Sequence, residues 1–139
     1  GTNDAQNLIL DKKVIKFGTP DWQTEYSKRI QTFINSNCSL SKKTYWIGAL
    51  KMRSVDFDSR LMVLNDIVKS LIQSAPQSCA EYVDVHDWFT QDLNFVEHWT
   101  LPGKDGEIKT VKIRADDGIH LSYWGSLLFS KKLIQRTSL

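Results

Sequence analysis

No run of apolar residues in this 139-residue chain approaches the roughly 20 that a helix needs to cross a bilayer, so no membrane-spanning helix is expected in it. An excess of one charge is missing too. The 18 basic and 16 acidic residues leave a net charge of +2, and no run of Lys or Arg forms a stripe that would attract nucleic acid. Cysteine is scarce: Cys38 and Cys79 form neither a Cys-x-x-Cys nor a Cys/His pattern, which excludes the common zinc sites, and neither a metal nor a cofactor is expected. Three prolines and seven glycines are too few for a low-complexity tract or a flexible linker. An initiator Met and a visible signal peptide are also absent. The chain opens abruptly on Gly1-Thr2-Asn3-Asp4, so its start is read as a cut in a longer protein.

What remains is ordinary globular material, 41% hydrophobic and 24% charged, enough for one domain over residues 1–139. Residues 1–13 read as a loop with a short helical turn. Thr19 can cap a helix that Pro20 begins, and Trp22, Tyr26, Ile30, Phe33 and Ile34 recur at helical spacing over residues 20–36. The apolar run over residues 44–50 reads as a strand buried on both faces of a parallel sheet. A second helix runs from near Asp56 to Ser74, with Leu61, Leu64, Val68, Leu71 and Ile72 as its stripe and Pro76 as its stop. Residues 81–86 are the next strand. Strand, helix and strand in this order make a βαβ unit and hence an α/β protein. A β-hairpin excursion is expected over residues 96–113, where Lys109, Lys112 and Arg114 interleave with Thr110, Val111 and Ile113 in the manner of an exposed edge. A closing helix follows over residues 122–135.

Two short blocks carry chemistry. In Asp117-Gly118-Ile119-His120 a carboxylate stands three residues before an imidazole, close enough to orient it and stabilise its charge, as a general base in acyl transfer requires. Gly118 lets the loop turn between them. A surface Asp and His capping the last helix is the other reading of these four residues. In Gly1-Thr2-Asn3-Asp4 an Asn amide beside a permissive Gly can donate to a developing oxyanion; a polar chain end without a role is the alternative.

Taken together, these two blocks resemble the third and fifth sequence blocks of the SGNH (GDSL-like) hydrolase superfamily, in the right order and at opposite ends of a βαβ core. More narrowly, the chain resembles a bacterial extracytoplasmic SGNH-like subfamily of unknown function. Lys16-Phe17-Gly18-Thr19-Pro20-Asp21-Trp22, Tyr26 with Arg29, and Tyr45-Trp46-Ile47-Gly48 with Met52-Arg53 carry that likeness. Tyr82-Val83-Asp84-Val85 and Ile113-Arg114-Ala115-Asp116-Asp117-Gly118-Ile119-His120 complete it. The resemblance covers essentially the whole chain. It implies a three-layer α/β/α fold around a flavodoxin-like parallel sheet, with the site at the carboxyl ends of the strands. It also implies His120 as general base, Asp117 as its orienter, and Asn3 with Gly1 at the oxyanion hole.

The nucleophilic Ser of such a site belongs to a Gly-Asp-Ser block, and none occurs here. Ser59 lacks the Gly and sits at a helix start, and Ser122 suits a helix cap. The chain is therefore expected to be the C-terminal portion of a single SGNH hydrolase-like domain. Its first strands and nucleophile segment would come from upstream or from a second chain, and the portion alone would be inactive.

Further candidates are weaker. Arg53 could hold a substrate carboxylate or pair with Asp56 or Asp58. His86 could line the pocket or be a structural histidine, and His98 reads as exposed. Trp99 could form an aromatic platform for a sugar ring, whereas Trp22, Trp46, Trp88 and Trp124 read as core. Asp116 is assigned a loop hydrogen bond. Cys38 and Cys79 each precede a strand of the βαβ unit, where their α-carbons could approach disulfide distance; two buried free thiols are the alternative. A disulfide implies an oxidising, extracytoplasmic compartment such as a periplasm.

Three functions follow. The first is a serine esterase removing O-acyl groups, such as acetyl, from a cell-envelope glycan or a small ester, or an O-acyltransferase using the same site. The second is a non-catalytic SGNH-fold binding or scaffold protein of the envelope. The third is an unrelated α/β ligand-binding domain.

Overall fold

Thr19 and Pro20 begin the first long helix as their chemistry predicts. The Thr19 hydroxyl accepts from the Trp22 amide (3.4 Å), and Pro20 occupies the first turn, where its missing N–H is no loss. A computed structural model describes residues 1–40, 43–75, 79–103 and 106–137 of the chain. Among these, three α-helices and four two-stranded sheets make a mixed α/β protein. They divide into two units, one of Gly1–Leu50 with Asp56–His86, the other of Lys51–Val55 with Asp87–Leu139.

In the first unit a short 3-10 turn, Thr2–Asp4, leads to a hairpin of β1 (Leu8–Leu10) and β2 (Lys13–Ile15). The sequence reading had only a loop with a helical turn here. Asp11 and Lys12 close the hairpin in left-handed conformations (φ 48° and 66°) without the Gly or Asn that usually marks such a turn. Helix α1 (Pro20–Cys38) buries Trp22, Tyr26, Ile30 and Ile34, while Phe33 of the expected stripe is half exposed and meets Trp46 edge-on at 5.6 Å. Trp22 is fully buried, and its indole N–H reaches the Gln6 carbonyl (2.8 Å).

Strands β3 (Thr44–Ile47) and β4 (Ala80–Val83) pair in parallel, in register from Thr44↔Ala80 to Ile47↔Val83. Helix α2 (Val55–Ser74) connects them and buries Leu61, Leu64, Val68 and Ile72. This is the expected βαβ unit. The residues of β3 are half-buried, not fully buried as expected, and β4 is its one partner strand among the described residues. Pro76, expected to stop α2, lies outside the described residues. Buried Asn65 of α2 fixes the chain leaving β3, accepting from the Ala49 N–H (2.8 Å) and donating to the Ala49 carbonyl (3.2 Å). The unit also contains a Cys38–Cys79 disulfide, Cα–Cα 5.5 Å, joining the end of α1 to the approach to β4.

In the second unit, β5 (Thr90–Gln91) and β6 (Asn94–Phe95) form a small hairpin too short for a period-2 signal. The expected larger hairpin follows as β7 (His98–Pro102) and β8 (Ile108–Lys112), with Lys104 and Asp105 of its turn outside the described residues. Helix α3 (Tyr123–Thr137) closes the chain, its first turn capped by the Ser122 hydroxyl accepting from the Gly125 N–H (3.1 Å). Gly125 is obligatory because a Cβ there would lie 2.0 Å from the Ile113 carbonyl oxygen. Trp124, read as core from the sequence, is 39% exposed. Arg114 corrects the reading in the opposite sense. Expected on an exposed edge, it is 1% exposed, because backbone carbonyls accept from its guanidinium inside the unit.

Candidate active site

The loop between β8 and α3 places Asp117 and His120 together. Gly118 adopts φ +71°, a left-handed turn that brings the residues on either side of it back toward each other. Asp117 Oδ1 accepts from the backbone N–H of Ile119 (2.8 Å) and of His120 (2.9 Å). Its other oxygen, Oδ2, lies 2.6 Å from His120 Nδ1. An ionised carboxylate can only accept, so Nδ1 carries a proton, and in the neutral ring Nε2 then presents a lone pair. That is the tautomer a general base needs. The imidazole is 75% exposed.

The same bonds set the charge state. The hydrogen bond from His120, followed by the Ile119 and His120 amides, holds the Asp117 carboxyl far below the usual carboxylate range. For a carboxyl depressed on folding, the stabilisation is complete above the unfolded value of about 4 and is lost as pH falls through the lower, folded value. The Asp117 side-chain carbon, followed by NMR against pH, is therefore expected to titrate well below an unfolded Asp; a midpoint at or above the ordinary value would contradict the three-bond arrangement.

Asp116, the neighbouring carboxylate, takes the other role. Its side chain pairs with Lys112 in solvent, and its carbonyl accepts from Arg53 Nη1 (2.8 Å). Arg53 Nη2 meets Glu97, and its backbone N–H donates to the Gly118 carbonyl (3.3 Å). Buried Arg114 donates to the Ile119 carbonyl (3.1 Å) and the Lys51 carbonyl (2.6 Å). The sequence gives Glu97 no role and Arg114 only a place on an exposed edge, since a lone Glu between β6 and β7 and an Arg in an alternating run carry no periodic signal of their contacts.

Trp99 lines a groove of about 290 Å³ with Thr90, Gln91, Val96, His98 and Thr100, and its ring meets Phe89 edge-on at 5.6 Å. Asn3, Gly1 and His86 belong to the first unit. Asn3 is exposed in the 3-10 turn, beside Asp4. His86 Nε2 lies 3.2 Å from Asp58 Oδ1, both side chains about nine-tenths buried, the setting of a histidine held by its fold. Among the described residues no group of three or more His, Cys, Asp or Glu could hold a metal ion. No described helix is long and apolar enough to cross a membrane.

A family model described as a protein of unknown function (DUF459) matches residues 1–136. No curated protein matches the chain.

Proposed function

The chain belongs to the DUF459 family, and we propose that it carries the base half of an SGNH-type serine esterase, with which membership of that family is compatible. The observation that carries this reading is the 2.6 Å contact between Asp117 Oδ2 and His120 Nδ1, made by a carboxylate that two backbone amides already orient. In this reading Nε2 of His120 removes the proton of a serine hydroxyl as it attacks an ester carbonyl. It then returns the proton to the departing alkoxide, leaving an acyl-enzyme for water to cleave. Asp117 fixes the tautomer and stabilises the imidazolium. The Gly-x-Asn block assigns Asn3 and Gly1 to the oxyanion hole, an assignment that rests on sequence.

The serine is supplied from outside these 139 residues, in the remainder of a three-layer α/β/α domain whose parallel sheet contains β3 and β4. A base that is 75% exposed has room for that segment over it. The groove at Trp99, with its aromatic ring, amide and hydroxyls, suits a saccharide, so O-acyl groups of an envelope glycan are the proposed substrates. The Cys38–Cys79 disulfide supports an extracytoplasmic, periplasmic setting. A sugar hydroxyl in place of water would make the same site an O-acyltransferase, and a whole protein without the serine would be a scaffold.

The longer natural protein decides this. Its sequence ahead of Gly1 is expected to contain Gly-Asp-Ser after an apolar strand. That serine should take up a fluorophosphonate probe, with turnover of p-nitrophenyl acetate. A folded full-length protein showing neither labelling nor turnover overturns the esterase.

A further inference from the structure

The dyad sits on a loop whose backbone is held almost residue by residue. The carbonyls of Ala115, Asp116, Gly118, Ile119 and His120 each accept a hydrogen bond. Ala115 and His120 close the loop on itself, with Ala115 N–H on the His120 carbonyl (2.9 Å) and Gly118 N–H on the Ala115 carbonyl (3.0 Å). The other three carbonyls are held by two arginines. Asp116 and Gly118 accept from Nη1 and the backbone N–H of Arg53, and Ile119 accepts from Nη1 of Arg114.

Arg53 is itself fixed on several sides. Its Nη2 is paired with the Glu97 carboxylate, and its guanidinium lies over the Phe95 ring at 5.7 Å. Its stem runs against Gly118, where an added Cβ would come within 2.6 Å of Arg53 Cβ and 2.9 Å of Nε. Glu97 links the two arginines: its backbone carbonyl accepts from the N–H groups of Ile113 (2.7 Å) and Arg114 (3.3 Å) while its side chain takes Arg53. Gly118 is thus needed twice, for its positive φ and for the room Arg53 occupies.

We propose that Arg53 and Glu97 are positioning residues, which fix the Asp116–Ile119 backbone and so set the contact between Asp117 and His120. This deepens the esterase reading, on which its catalytic meaning rests, and it gives Arg53 a role other than substrate binding. The planar guanidinium serves Glu97 with one nitrogen and the Asp116 carbonyl with another, whereas a lysine ammonium would have to reach both acceptors from one nitrogen. Hydrogen bonding around a ligating or catalytic histidine commonly fixes its tautomer and aim in this manner, and a displacement of about 1 Å is enough to cost on the order of a hundredfold in rate.

The test is nitrogen-15 NMR of the His120 ring in the full-length protein, comparing the parent with Arg53→Ala, Arg53→Lys and Glu97→Gln. In its neutral form the parent ring is expected to carry its proton at Nδ1, with that proton protected from solvent by Asp117. Arg53→Ala should speed its exchange at least tenfold and mix the two tautomers. Arg53→Lys should fail to restore the parent signature, and Glu97→Gln should move part of the way. Amide spectra and thermal midpoints identify variants that remain folded. If Arg53→Ala does not fold, the other two decide. Folded Arg53→Lys and Glu97→Gln proteins with unchanged tautomer and exchange overturn the proposal. An inactive full-length enzyme whose His120 ring nonetheless responds would sink the esterase reading and leave the positioning role standing. In an active full-length enzyme Arg53→Lys should lower kcat; a rise in KM at constant kcat would mark Arg53 as a substrate ligand instead.

Discussion

If the proposed esterase is correct, replacing His120 with alanine in the full-length protein lowers kcat toward a short-chain acyl ester by about 10³–10⁴-fold with little change in KM. The imidazole acts only as charge moves in the transition state, so its loss falls on the chemical step and not on ground-state binding. Asp117→Asn should approach the same loss for a different reason. Asparagine keeps the size of the side chain, and its carbonyl oxygen can still accept from the Ile119 and His120 amides that now hold Oδ1. Its amide nitrogen then faces Nδ1 across the present 2.6 Å contact. A donor there forces the lone pair onto Nδ1 and the proton onto Nε2, which removes the base without removing the ring. Steady-state kinetics of both variants beside the parent settle the matter. Full activity in both would show that His120 is not the base and Asp117 not its orienter.

Loss of the Cys38–Cys79 disulfide should be the largest single blow to stability from outside the site. The bond spans 41 residues, a segment that contains β3 and α2. Chain-entropy reasoning for a loop of that length gives about 4 kcal/mol, within the roughly 2–5 kcal/mol that removing a native disulfide commonly costs. The bond joins the last residue of α1 to the residue whose carbonyl accepts the Thr44 amide (2.8 Å), so its loss loosens the start of the β3–β4 pairing as well. A Cys38→Ser/Cys79→Ser protein, or the parent under reductant, should melt on the order of 10 °C lower by circular dichroism. An unchanged midpoint would mean that the bond contributes little, and two free thiols in protein taken from an oxidising compartment would mean that it does not form there.

Local chemistry was legible wherever a residue acts through its own neighbours in sequence. Helix α1 was readable from Thr19, Pro20 and the Trp22–Tyr26–Ile30–Ile34 stripe, and the βαβ unit from its alternation of apolar runs, because period and capping are short-range properties. The Asp117–His120 pairing was readable for the same reason, since a three-residue spacing across a glycine turn keeps both side chains within reach. The hairpin of β1 and β2 was not readable, because its turn uses Asp11 and Lys12 at positive φ, a strained choice that carries no sequence mark.

Tertiary structure alone decided what holds the dyad in place. Glu97 lies 44 residues from Arg53 and Asp116 lies 63 from it, separations across which no periodic signal survives. Arg114 looked like a solvent-facing member of an alternating strand, and its burial depends on carbonyls of Lys51 and Ile119 that only the folded chain brings to it. The four residues Asp117-Gly118-Ile119-His120 thus determine by themselves that a carboxylate can orient an imidazole. The distance at which it does so is set by distant backbone and side-chain groups, because a hydrogen bond is short-ranged and directional and the chain must fold before those groups can meet.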